Sequence, residues 1–172
     1  AESAMGRVGI FLLIAGLLEV YDGFRRARDA DARAAWYNGA STLLTDLTAR
    51  PPRVVATVGV LGATAEGLKI SPDSSVVAVV VHNGSNRPKE SPFYNDAGKL
   101  VIVRVTGKTL SRVGEAPIGH WSQGVVFSPD GKTILVGNMV EKDYWVCKWD
   151  GSTLRDTGQR VKINGGPVAI RT

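Results

Sequence analysis

The sequence predicts an all-β chain built from a repeated four-stranded unit, and three observations carry that expectation. A stretch of sixteen residues, Glu66-Gly-Leu-Lys-Ile-Ser-Pro-Asp-Ser-Ser-Val-Val-Ala-Val-Val-Val81, recurs as Gln123-Gly-Val-Val-Phe-Ser-Pro-Asp-Gly-Lys-Thr-Ile-Leu-Val-Gly-Asn138. The runs after each Ser-Pro-Asp are β-branched and short, as strands are. The 172 residues include 20 Gly and 8 Pro, a density of turn-formers that suits hairpins better than a helical bundle. A hydrophobic fraction of 44% with a mean hydropathy of zero excludes wholesale disorder. The single cysteine, Cys147, excludes an internal disulfide framework.

Taken in chain order, residues 1–42 follow different rules from the rest. Val8–Leu18 is an apolar run of eleven residues after Arg7, followed by the charged stretch 25–33. Eleven residues are too few for a bilayer span, which needs about 20. They match a signal-peptide core, with Ala32-Arg-Ala34 as a small-residue cleavage pattern. They also fit an amphipathic helix over roughly 8–35, or a segment foreign to the fold. The expectation for 1–42 is therefore an N-terminal helical or signal-like segment, and for 43–172 a set of β units.

Within 43–172, residues 41–47 and 53–58 read as the second half of a preceding unit. The first full unit then runs through a strand ending at Ile70, a Ser-Pro-Asp turn, Val76–Val81, Leu100–Val105 and Leu110–Ala116. The second repeats it: Gly124–Ser128, the turn, Thr133–Val136, Tyr144–Trp149, and a strand after Thr153-Leu154. In each turn Pro presets φ at the second position, and the residues after it tolerate a tight reversal. A third copy begins at Gly166-Pro-Val-Ala-Ile. The spacing is 57 residues from Gly67 to Gly124 and 43 from Gly124 to Pro167, the difference lying in one long loop after His82. Four short strands in about 43 residues, repeated, is the pattern of a β-propeller blade.

The motif Gly-x-x-x-Ser-Pro-Asp-(Gly/Ser) followed by a β-branched strand resembles the YVTN-repeat, lactonase-like β-propellers. The Tyr-Val-Thr-Asn tetrapeptide itself is absent; Ala78–Asn83 and Leu135–Asn138 occupy its place, each ending in Asn. A Trp-Asp dipeptide of the WD40 type occurs once, at Trp149-Asp150. The resemblance implies a bacterial, often exported, seven-bladed propeller, hence a periplasmic or extracellular location. Propellers have 4–8 blades, whereas these residues hold about two and a half. A partial propeller is expected: a fragment, a ring assembled from copies through open sheet edges, or a sheet capped by the N-terminal segment.

In an up-and-down blade the turns after strands one and three lie at one end, and those after strands two and four at the other. The Ser-Pro-Asp turns thus share an end with other short loops. The opposite end collects 82–98, 117–123 and 137–143, with the inter-blade loops 62–66 and 163–166, and with them both histidines. Loops carried on a rigid scaffold are where binding concentrates. The candidate binding residues are Glu66, His82, Asn83, Asn86, Asp96, His120, Trp121, Gln123, Glu141 and Asn164. Trp121 fits either a ligand-stacking role or a wedge between blades. His82 and His120 with Asp96 or Glu66 have the chemistry of metal ligands, but their spacing reads better as hydrogen-bonded loop histidines, so neither metal nor cofactor is expected.

Several motifs fail on inspection. Gly107-Lys-Thr109 and Gly131-Lys-Thr133 lack the upstream glycine of a phosphate-binding loop. Ser122 is not a nucleophile elbow, and no acid is identifiable to orient a His120–Ser122 pair. The net charge of +5 comes entirely from 51–172, with fifteen basic residues against ten acids, scattered singly; nucleic acid is not an expected partner. The functional expectation is a non-catalytic propeller that binds a small molecule or a protein through loops 82–98 and 117–123. The alternative is a lactonase-like hydrolase of sugar lactones, for which no catalytic residues are assignable from the motif.

Overall fold

The computed structural model describes residues 8–13, 41–46, 50–51, 53–60, 64–168 and 170. Among the described residues, eleven strands form three antiparallel sheets. Strands β1 (Val8–Leu13), β2 (Ser41–Asp46) and β3 (Arg53–Gly59) pair in that order. Strands β4 (Ala65–Ile70), β5 (Val76–Val81), β6 (Gly98–Thr106) and β7 (Thr109–Ile118) form a four-stranded meander. Strands β8 (Ser122–Phe127), β9 (Thr133–Asn138), β10 (Asp143–Trp149) and β11 (Leu154–Lys162) form a second one in the same order. These are two complete propeller blades, one unit length apart.

One expectation needs correcting. Val8–Leu13 is not the start of a helix; its backbone pairs antiparallel with β2, Val8 opposite Asp46 and Leu13 opposite Ser41. An apolar run this short has no periodicity that separates strand from helix, and an open strand edge on β2 gives its backbone groups partners. The rest of the expected helix, 14–35, lies outside the described residues.

The first blade is buried on both faces, and its sequence shows why. Every residue of β5 is buried, which demands the uninterrupted Val-Val-Ala-Val-Val-Val run rather than an alternating one. Val76, Ala78, Val80, Leu100 and Ile102 point towards the second blade and pack with Val125, Phe127, Ile134, Val136, Cys147 and Trp149. Val77, Val79, Val81, Val101 and Val103 point the other way, with Val55, Ala56 and Val58 of β3 against them. At about 25 cal/mol per Å² of apolar area removed from water, these two layers are the main stabilising contribution.

Both inner strands carry the same irregularity. The β4–β5 register shifts between Ala65 and Leu68, and the β8–β9 register between Ser122 and Val125. The positions are 57 apart, so the bulge is a property of the repeat. It presents Glu66-Gly67 in one copy and Gln123-Gly124 in the next. Backbones of neighbouring blades meet here: a Cβ on Gly67 would lie 1.8 Å from the Gln123 carbonyl oxygen.

The Ser-Pro-Asp turns repeat atom for atom. Ser71 Oγ donates to Asp73 Oδ1 at 2.6 Å and accepts the Val76 N–H at 3.1 Å. Ser128 Oγ donates to Asp130 Oδ1 at 2.5 Å and accepts the Thr133 N–H at 2.9 Å. Each Asp then accepts the N–H two residues on, at 3.1 Å from Ser75 and 3.0 Å from Lys132. These bonds hold both carboxyls below the usual carboxylate range.

Candidate functional site

The loop end brings three connections together. The long loop 82–97 follows β5, residues 119–121 join β7 to β8, and residues 139–142 join β9 to β10. The long loop is braced by its own polar groups. The His82 carbonyl accepts the Ser85 N–H at 2.9 Å and its hydroxyl at 2.7 Å. Asn83, at φ +55°, donates to the Ala97 carbonyl at 3.2 Å and accepts from Asn95 at 2.7 Å. Ser85 Oγ in turn accepts the Trp121 N–H at 3.1 Å, which ties the long loop to the next connection.

His120 is the centre of this end. Its Nδ1 lies 2.6 Å from Glu141 Oε1, and its backbone N–H reaches both Glu141 oxygens at 3.0 Å. On the other side of the ring, Nε2 lies 3.4 Å from Asp96 Oδ1 and 3.4 Å from the Tyr94 hydroxyl. Tyr94 O–H donates to Asp96 Oδ1 at 2.6 Å, and its ring stacks on the imidazole at 6.5 Å and 21°. The Glu141 hydrogen bond above all, with Asp96 adding, holds the His120 pKa above its ordinary value. The imidazole is thus gripped firmly at Nδ1 and loosely at Nε2: the Glu141 side chain is 22% exposed and that of Asp96 86%.

Beneath His120 runs a buried polar chain. Ser122 Oγ donates to Asn138 Oδ1 at 2.6 Å, and the same oxygen accepts the Gly119 N–H at 3.1 Å. Asn138 Nδ2 donates to Asp143 Oδ1 at 3.1 Å, and Lys162 Nζ pairs with Asp143 Oδ2 at 3.0 Å. Ser122, Asn138 and Asp143 are all buried. In the first blade the positions of Ser122 and Asn138 are Ala65 and Val81. The second blade therefore replaces an apolar pair by a satisfied polar one where the His120 turn is seated. Sequence reading missed this chain and the part played by Tyr94; the signal for the chain was a polar residue at each end of otherwise apolar repeat positions.

Of the residues singled out from sequence, Asp96, His120 and Glu141 come together, and Trp121 follows His120 in the chain. Asn83 braces the loop, and Asn86 is half-buried within it. Glu66 is exposed on β4, Gln123 half-buried on β8, and Asn164 exposed beyond β11. His82 does not join His120. It is buried, neither ring nitrogen has a hydrogen-bond partner among the described residues, and burial pushes its pKa down to about 4. Among the described residues no three His, Cys, Asp or Glu side chains converge as metal ligands. Trp121 is 43% exposed, so nearly half of it faces solvent. Cys147 is buried, with its thiol pushed up to about 11, the setting of an unreactive cysteine.

The opposite end, expected to hold only short turns, has a cleft of about 260 Å³ between the two Ser-Pro-Asp turns and the Trp149–Gly151 turn. Its carboxylates are engaged in holding those turns: Asp150 Oδ1 accepts the N–H groups of Ser152 and Thr153 at 2.9 and 2.7 Å.

Four-stranded antiparallel meanders, stacked face to face with their first strands adjacent, define this protein as a β-propeller in architecture. No family model matches the chain, and no curated protein matches its sequence. Solved structures do match in fold. A protein from Bacteroides fragilis, provisionally assigned as a 6-phosphogluconolactonase, aligns with a TM-score of 0.62 at 20% identity, over 78% of this chain and 36% of that one. Its counterpart from Bacteroides uniformis aligns at 0.59 and 20%, over 76% and 36%. The periplasmic gluconolactonase of Pseudomonas aeruginosa aligns at 0.51 and 14%, over 66% and 32%. The fold shared with these structures is the β-propeller, and the chain spans about a third of their length. No helix among the described residues is long and apolar enough to cross a membrane.

Proposed function

We propose that the loop end is the working site of a lactonase-like propeller that hydrolyses sugar lactones, with His120 as general base. The observation that carries this reading is the 2.6 Å contact between His120 Nδ1 and Glu141, with Nε2 held only at 3.4 Å by Tyr94 and Asp96. A carboxylate on Nδ1–H fixes the tautomer whose Nε2 lone pair accepts a proton. In the reaction, water gives a proton to Nε2 as its oxygen attacks the lactone carbonyl. The C–O bond of the ring then breaks, and the imidazolium returns the proton to the departing ring oxygen. The products are an aldonic acid and its freed hydroxyl. Tyr94 and Asp96 lie across Nε2 and must yield to the substrate. The likeness to 6-phosphogluconolactonase and gluconolactonase folds favours a sugar lactone over other esters, although a fold alone does not fix function. A periplasmic setting and membership of the YVTN-repeat group fit the same reading.

The test is hydrolysis of glucono-1,5-lactone by the full chain, followed by acid release against the spontaneous rate. His120→Gln should lower kcat by about 10²–10⁴. Activity should climb as pH rises through the raised His120 pKa, because only the neutral imidazole accepts the proton. Glu141→Gln should move that climb to lower pH, since the main cause of the raised pKa is gone. The non-catalytic reading is favoured by one observation, the closure of Nε2 by Tyr94 and Asp96. Saturable lactone binding without turnover in the wild-type chain would establish it instead.

A further inference from the structure

We infer that Trp121 is a stacking platform for a pyranose ring, with Asp96 as the acceptor for that ring's hydroxyls. The ligand class rests on the sugar-lactone reading above; the platform itself rests on the backbone. Trp121 has φ +48°, in the left-handed region that bulky residues avoid. The repeat shows that the turn, and not the side chain, asks for this conformation. One unit earlier the position is Thr64, with φ +62°. The same backbone bond closes both turns: Thr64 O accepts from His82 N–H at 2.8 Å, and Trp121 O from Met139 N–H at 3.4 Å. One unit later the position is Asn164. A small or polar residue thus serves the turn, and tryptophan is placed there against steric cost.

Packing covers only part of the side chain, because 43% of Trp121 remains exposed. A strained residue that keeps a large apolar face in water is the pattern of a side chain held out for a ligand. The turn is not loose: the Trp121 N–H is fixed on Ser85 Oγ, and the neighbouring Gly119 N–H on buried Asn138. The residue before Trp121 in the chain is His120, whose Nε2 faces Asp96, a carboxylate that is 86% exposed and is addressed by Tyr94 and His120 at Oδ1 alone. The exposed part of an indole suits the axial C–H face of a β-glucopyranose ring, and an exposed carboxylate at the same end of the blades suits its rim of equatorial hydroxyls. The same arrangement would set a sugar lactone beside His120.

The experiment is titration of the full chain with methyl β-D-glucopyranoside, which has no lactone bond, followed at the Trp121 indole N–H by NMR. A saturable shift of that signal is expected. Trp121→Thr restores the residue found at the equivalent turn; it should weaken binding at least tenfold and leave the melting temperature within a few degrees. Trp121→Phe should retain most of the affinity, and Asp96→Asn should lose it severalfold. A Trp121 signal unmoved at saturation, or equal binding by Trp121→Thr, overturns the platform. A steep fall in melting temperature for both Trp121→Thr and Trp121→Phe also overturns it, because the indole would then be a packing element. Glucoside binding at Trp121 with no lactone turnover would keep the platform and remove the hydrolase; turnover indifferent to Trp121→Thr would do the reverse.

Discussion

The two ends of the blades obey opposite rules. At the turn end the repeat is kept: Ser71–Asp73 and Ser128–Asp130 make the same bonds within a few tenths of an ångström. At the loop end it is broken. His82 corresponds to Met139, Val81 to Asn138, Ala65 to Ser122 and Thr64 to Trp121. Repetition marks what every blade needs in order to fold. Departure from it, where the substituted group is polar or strained, marks what only one blade needs. The His120–Glu141 pair stands on the departing side, which is why the site is sought there and not in the cleft between the turns.

The comparison depends on the blades stacking through their inner strands, and the largest expected effect tests that stacking. Gly67→Ala puts a Cβ 1.8 Å from the Gln123 carbonyl oxygen, and a backbone atom cannot swing away. Urea denaturation should show a loss of about 3 kcal/mol, the upper range for overpacking. Gly114→Ala is the control: its Cβ would meet Leu154 and Trp149 at 3.4 Å, an ordinary contact, and should change stability by under about 1 kcal/mol. Equal losses would mean that the close approach of β4 and β8 is not the feature that joins the blades.

The next effect is smaller and belongs to the loop end alone. His82 has a folded pKa of about 4 against an ordinary 6.5, so the unfolded chain takes up its proton first as pH falls. Stability is then complete above about 6.5 and declines towards pH 4, by roughly 2–3 kcal/mol at pH 4.5. His82→Met installs the residue of the second blade and should abolish that decline, without loss at pH 7, because no hydrogen bond is removed. Urea midpoints at pH 7 and 4.5 would measure it. His120 runs the other way. Its raised pKa contributes stability below about 6.5, and that contribution fades as pH climbs through the folded value. An acid limb unchanged in His82→Met would remove His82 as its cause.

What the sequence made legible follows the same division. The blades could be read from it because β5 and the turns carry strong local signals: an unbroken valine run, and Pro flanked by Ser and Asp. The meander then fixes which loops share an end, so Asp96, His120 and Glu141 are expected at one end of the blades, along with His82, which the spacing groups with His120. What was hidden depended on directions that spacing does not encode. His82 ends a fully buried strand and keeps its ring inside, while His120 follows a Gly in a turn and faces outwards. Nothing local separates the two. The N-terminal strand was hidden for a different reason: a segment as short as Val8–Leu13 takes its conformation from the edge it meets.

The smallest expected effect is the cleanest probe of the repeat itself. The last turn position is Gly131 in the second blade, at φ +70°, and Ser74 in the first, at φ +60°. Both donate their N–H to the carbonyl three residues back, Ser74 to Ser71 and Gly131 to Ser128, each at 2.8 Å. A Cβ on Gly131 would have only Pro72 Cδ nearby, at 3.7 Å, so no contact distinguishes the two residues. What remains is the cost of a left-handed backbone for a residue with a Cβ, about 1–2 kcal/mol, less the extra freedom that glycine has when unfolded. Ser74→Gly should therefore raise stability by about 0.5–1 kcal/mol, and Gly131→Ser should lower it by a similar amount. If the two swaps prove unequal, the turns differ in something beyond this one dihedral. The turn end would then be less uniform than its hydrogen bonds make it, and the rule that repetition marks scaffold would have to be argued blade by blade.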